Sequence, residues 1–260
     1  MVEPLDVLLP QVPGLVVDRG AGPPEGPLKG PDNKEPGPLK GPDNKEPGLR
    51  KGSNEERVPV ALTHGAGGDV HGAGLQALAE GLAALGHTVV RFNLPYREAG
   101  RSSPPAAEKS VPGYREGYEA ARTEVGDSRR WAAGGKSYGG RVASLAVAEG
   151  MQVAALVFYG YPLHPPGKPA AVRVAHWPSI TVPCLFLEGT MDPFCNLDLL
   201  REHLPSLRGP ATLHVVEGGD HSLQVRASSS PDGRPRNPAR VMADLAPVVS
   251  SWLESVAVRS

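Results

Sequence analysis

Five residues constrain this chain more than any others: Gly135-Lys136-Ser137-Tyr138-Gly139, set between the apolar run RRWAA and the helix-like stretch RVASLAVAEG. A serine between glycines at a strand-to-helix junction is forced through a sharp turn that strains its backbone and lifts its hydroxyl above the sheet. The flanking glycines remove the Cβ atoms that would clash in so tight a turn. GGKS also invites a phosphate-loop reading, but the GxxxxGK[ST] pattern needs glycine at 130 and Arg130 stands there.

Around this turn, short apolar runs alternate with helix-like stretches, the pattern of a largely parallel sheet wrapped by helices. VPVALTH (58–64) and HTVVRFN (87–93) read as strands on either side of a helix marked by Leu75, Leu78, Ala79, Leu82 and Leu85, with Gly86 as its stop. A Pro-rich loop leads to a helix near 112–126, a strand at 129–134 and a helix at 139–149. VAALVFYG (153–160), CLFLEG (184–189) and TLHVVEG (212–218) complete the run of expected buried strands. Residues 238–256 form the expected closing helix, kinked or broken at Pro247. Before all of these, LDVLLP and GLVVD within residues 1–19 are expected to form an antiparallel hairpin at the sheet edge of the same domain.

A serine hydroxyl is a poor nucleophile at its own pKa and needs a base, and the base needs a group to orient it. At the C-terminal ends of later strands the chain supplies both, Asp192 in GTMDP and His221 in GGDHS, in the order Ser, Asp, His. The expected roles are Ser137 as nucleophile, His221 as general base and then acid, and Asp192 as the carboxylate that fixes the histidine tautomer. A tetrahedral intermediate also requires backbone N–H donors, and His64-Gly65-Ala66-Gly67-Gly68 follows a strand as such loops do. The expected donors are Tyr138 and Gly65 or Ala66. Together these features predict an α/β-hydrolase fold at 57–260, a mostly parallel twisted sheet with helices on both faces.

Each of these residues has a plainer reading. Asp192 could cap the helix NLDLLREHL, with Asp198 close by as a rival acid, and Asp220 adjoins His221, although adjacent side chains in an extended turn point apart. Lys136 is a surface or substrate-facing cation, its role open. Cys195 is either a reactive thiol or a partly buried structural cysteine. The histidines at 71, 87, 164, 176, 203 and 214 show no paired metal-ligand spacing, so no metal and no cofactor is expected.

From Pro27 to Gly37 the chain reads PLKGPDNKEPG, and the same residues recur unchanged from Pro38 to Gly48. Neither copy carries an apolar face, so residues 20–56 read as a flexible Pro/Gly-rich insertion, or else as a charged docking segment for a protein partner. A net charge of −1 gives no general attraction to nucleic acid or anionic membrane, and neither is an expected partner. No stretch is long and apolar enough to span a bilayer, and MVEPLDVLLPQVPG lacks the layout of an export signal. Two cysteines, Cys184 and Cys195, make no disulfide framework, which points to a reducing intracellular location, cytoplasmic or nuclear.

THGAGGD (63–69), GGKSYGGR (134–141), YPLHPP (161–166), GTMDPFC (189–195) and DHS (220–222) together carry a resemblance. They resemble the family of small α/β-hydrolase-like proteins that groups testis-expressed protein thirty with subunit three of the non-specific lethal histone acetyltransferase complex. That family is similar to dienelactone-hydrolase-like enzymes, which implies a compact domain with no large lid. The short connection between 165 and 181 agrees. The resemblance implies either a serine hydrolase acting on a small ester, thioester or similar acyl substrate, or a non-catalytic scaffold protein on the same fold.

Overall fold

The computed structural model describes residues 14–20, 57–126 and 129–257. Nearly all of the expected insertion, the duplication within it and the first half of the N-terminal hairpin lie outside the described residues.

Side chains on successive strand positions point to opposite faces, and here the alternation sorts them into separate apolar layers. In β5 (Ala155–Tyr159), Leu156 and Phe158 enter one layer while Val157 and Tyr159 enter the other. In β6 (Cys184–Gly189), Cys184 and Phe186 join the first and Leu185 and Leu187 the second. Both strands are buried along their whole length, as continuous apolar runs in a doubly covered parallel sheet should be.

With β1 (Leu15–Asp18), β2 (Val60–Thr63), β3 (Val89–Phe92), β4 (Ala132–Lys136) and β7 (Ala211–Val216), these strands form a seven-stranded sheet in the order β1-β3-β2-β4-β5-β6-β7. All neighbours run parallel except β1, which is antiparallel to β3 at the edge. This is the α/β-hydrolase fold.

Helices α1 (Ala73–Ala84) and α6 (Pro238–Ala257) cover one face and pack on each other. After the short α2 (Pro95–Glu98), helices α3 (Val111–Val125), α4 (Tyr138–Ala148) and α5 (Leu197–His203) contribute to the layer on the other face. Among the described residues, the β5–β6 connection at 160–183 carries one turn of 3-10 helix, Trp177–Ser179, and no lid domain.

Several details depart from the pattern in the sequence. β7 is not a buried strand; it is the outer strand, paired only with β6, and its first residues are exposed. α6 runs through Pro247 without a break. Proline removes one helical donor, but Pro247 and Ala243 four residues earlier are both exposed, so water can satisfy the orphaned carbonyl. Strand β4 begins and ends later than its apolar run suggests. Arg91, in the middle of an apolar strand, is buried and makes a bidentate pair with Asp18 of β1, Nε to Oδ2 at 2.8 Å and Nη2 to Oδ1 at 2.9 Å. That pair, with a further donation from Arg91 to the Val70 carbonyl, satisfies a guanidinium that would otherwise be costly at the sheet edge.

Candidate active site

Ser137 stands between β4 and α4 with φ 50° and ψ −114°, a conformation that non-glycine residues rarely adopt. The strain is held by its surroundings. The Ser137 N–H donates to the Tyr159 carbonyl at 2.8 Å, and α4 begins at the next residue. A Cβ on Gly135 would lie 2.5 Å from the Thr63 carbonyl oxygen, and one on Gly139 equally close to that of His64, so neither position has room for a side chain.

His221, on the loop after β7, has Nε2 at 2.7 Å from the Ser137 hydroxyl and Nδ1 at 2.7 Å from Oδ2 of Asp192. Because a carboxylate only accepts, Nδ1 carries the proton and Nε2 is free to accept from the serine. Asp192 follows β6. Its side chain is fully buried, and its second oxygen, Oδ1, accepts from the Phe194 N–H at 2.7 Å. The two rivals are engaged elsewhere: Asp220 accepts from the N–H groups of Ser222 and Gln224, and the exposed Asp198 pairs with Arg201.

The loop His64–Gly68 lines the same cavity as Ser137 and His221, a space of about 500 Å³. Gly65 and Ala66 both face it. Tyr138 opens α4, and a helix leaves its first N–H groups without intrahelical acceptors. Three groups fasten the loop from below. Leu94 donates its N–H to Nε2 of His64 at 3.1 Å, which leaves Nδ1 to donate to the Gly65 carbonyl at 2.7 Å. The Tyr96 hydroxyl donates to the Ala66 carbonyl at 2.7 Å. Burial holds His64 below its ordinary pKa, consistent with the neutral form these two bonds require.

A similar clamp holds the acid loop. His164 of YPLHPP has Nδ1 at 2.9 Å from the Pro165 carbonyl and Nε2 accepting from Asn196 N–H at 3.1 Å, while its own N–H donates to the Phe194 carbonyl. Beneath Asp192, the buried Glu188 accepts from Tyr161 N–H at 2.6 Å. Burial, with Asp192 nearby, pushes its pKa well above the usual carboxylate range. The Cys195 thiol beside it is buried too, and burial also raises its pKa. This is the buried environment of a packing cysteine, one that favours the uncharged thiol.

Sequence reasoning had no signal for Phe194, Tyr96 or Glu188, whose roles depend on contacts between segments far apart in the chain. It left Lys136 open between surface and cavity; the side chain lines the cavity. No cluster of potential metal ligands occurs among the described residues, and no helix among them is long and apolar enough to cross a membrane.

Comparison with known proteins agrees with this architecture. An α/β serine hydrolase homologue from Coxiella burnetii is 20% identical, with 66% of this chain and 79% of that one covered, at a TM-score of 0.51. A monoacylglycerol lipase from Paleococcus ferrophilus is 17% identical over 77% of this chain and 96% of its own, with a TM-score of 0.55. A serine hydrolase without lid from Xanthomonas campestris is 18% identical over 94% of this chain and 88% of its own, with a TM-score of 0.50. At such identities the likeness is one of fold. Residues 56–250 match the model of the Alpha/beta hydrolase domain family, and the chain belongs to that family.

Proposed function

We propose that this protein is a serine hydrolase that cleaves a small carboxylic ester, thioester or similar acyl substrate without a cofactor. The observation that carries the reading is the continuous relay of two 2.7 Å contacts from Ser137 through His221 to a fully buried Asp192. Ser137 Oγ attacks the acyl carbonyl as Nε2 of His221 takes its proton, and Asp192 stabilises the imidazolium that forms. The developing oxyanion is met by the N–H of Tyr138 and that of Gly65 or Ala66. Collapse of the tetrahedral intermediate expels the alcohol or thiol, protonated by His221. Water, deprotonated by the same histidine, then releases the acid from Ser137.

The clamp at His64 supports this reading because it fixes the loop whose N–H groups would meet the developing charge, and the clamp at His164 fixes the turn that carries Asp192. We also assign the chain to the family of testis-expressed protein thirty, on YPLHPP and the acid-plus-cysteine turn. The unpaired, buried Cys184 and Cys195 favour a reducing compartment.

Labelling with a fluorophosphonate probe tests the reading without a guessed substrate. Label on Ser137 that disappears in Ser137→Ala is the expected result. Folded protein that takes no label would instead favour a non-catalytic interaction protein on the hydrolase fold.

A further inference from the structure

The strand that leads into Ser137 ends on a cation, Lys136, that lines the same cavity. The Lys136 stem runs beneath the His64–Gly68 loop; a Cβ on Gly65 would sit 3.6 Å from its Cγ and Cδ. The ammonium lies over the ring of Tyr159, 5.4 Å from its centroid. Tyr159 is fixed in turn by donating its hydroxyl to the Ser222 carbonyl at 2.7 Å.

Among the described residues Lys136 makes no hydrogen bond or ion pair through Nζ. Two carboxylates act on it at longer range, and both have closer partners: Asp192 holds His221 and Phe194 N–H, and Asp220 holds two backbone N–H groups. The carboxylate that lines the cavity, Asp69, pairs with Arg97 at 3.6 Å. Burial holds the lysine below its ordinary pKa, against the pull of the two acids. An ammonium largely removed from water, with an aromatic face beneath it and no carboxylate in direct contact, still lacks a hydrogen-bonded counter-ion, and it lines the same cavity as Ser137.

We propose that the substrate is anionic, an ester or thioester that also bears a carboxylate, and that this carboxylate pairs with Nζ of Lys136. The proposal rests on the hydrolase reading of Ser137. A single lysine with no arginine beside it in the lining matches a monoanionic carboxylate better than a phosphate, which usually gathers several donors.

Two matched pairs of esters test it on either side of the scissile bond: monomethyl glutarate against methyl 5-methylhexanoate, and 4-acetoxybutyrate against 4-methylpentyl acetate. In each pair an isopropyl group replaces the carboxylate, and hydrolysis is followed by proton release. The wild type is expected to favour the charged member of at least one pair by about ten- to hundredfold in kcat/KM. That ratio should collapse toward unity in Lys136→Met and largely survive in Lys136→Arg. Glutarate should also slow fluorophosphonate labelling of Ser137 in the wild type and not in Lys136→Met, whose own labelling reports that it is folded.

No charge preference in either pair, or an equal loss on both members in Lys136→Met, overturns the proposal while leaving the hydrolase intact. Absence of both turnover and labelling overturns the two readings together.

Discussion

The ring of Phe194 lies over the imidazole of His221, centroids 4.2 Å apart and planes inclined by 32°, while the backbone N–H of Phe194 holds the far oxygen of Asp192. One residue thus braces both His221, the proposed base, and Asp192, the acid proposed to orient it. Phe194→Ala removes the ring and keeps the backbone donor, so the imidazole gains rotational freedom while the acid stays in place. We expect kcat to fall about tenfold with KM little changed, measured on any ester the enzyme turns over. Asp192→Asn should cost about 10⁴-fold, because the amide would favour the wrong tautomer of His221. Asp220→Asn and Asp198→Asn should each cost less than about threefold, since neither acid touches His221. A larger loss for Asp220→Asn than for Asp192→Asn would reassign the acid.

Tyr96 holds the loop proposed to supply the oxyanion donors. Its hydroxyl is fixed to the Ala66 carbonyl, and burial pushes its pKa to about 12, so it remains a donor across the working pH range. Tyr96→Phe should loosen the proposed oxyanion loop and lower kcat about fivefold, with a stability loss of about 1 kcal/mol in urea titration. An unchanged kcat would mean the loop is held adequately by His64 alone.

The edge strand β1 meets the rest of the sheet through a buried ion pair as well as through the apolar contacts of Leu15 and Val17. Asp18→Ala would leave Arg91 buried without its carboxylate, which should cost about 3 kcal/mol in denaturant unfolding. The double variant Asp18→Ala, Arg91→Leu should recover much of that loss by removing the unpaired charge. If Asp18→Ala is as stable as the wild type, β1 is not held by this pair.

Acid sensitivity should come from histidines as well as carboxylates. His176 bonds through Nε2 to the Ser144 hydroxyl at 2.7 Å, and burial, with Arg141 nearby, holds its pKa down at about 4 against an unfolded value of 6.5. His64 and His87 are lowered by burial in the same direction. Between these limits the unfolded chain binds protons that the folded one does not, so stability rises with pH there. The contribution of His176 is fully present above pH 6.5 and is lost as pH falls toward about 4. Tm should therefore fall between pH 7.5 and pH 5, and fall less in His176→Gln. Equal slopes for the two proteins would count against His176.

The course of the sheet was legible because period-two and helical repeats are local. Leu75, Leu78 and Leu82 mark one face of α1 without reference to any other segment, and CLFLEG reads as a buried strand on composition alone. The edge position of β7 was not legible. TLHVVEG is nearly as apolar as its neighbours, and only the sheet order leaves it without a second partner. Arg91 eluded the pattern for the same reason, since its counter-ion sits 73 positions earlier.

The sequence by itself determined the turn at Ser137, because glycines at 135 and 139 and a strand-to-helix switch are properties of one short stretch. It also put Asp192 and His221 after their strands in an order that chemistry could use. Only the tertiary structure decided that these groups lie within hydrogen-bonding distance, that Phe194 braces them, and that Lys136 faces the cavity without a counter-ion. Local backbone preference is written residue by residue. Which side chains meet, and which charge is left without a direct partner, depends on the packing of segments far apart in the chain, 84 positions for Ser137 and His221.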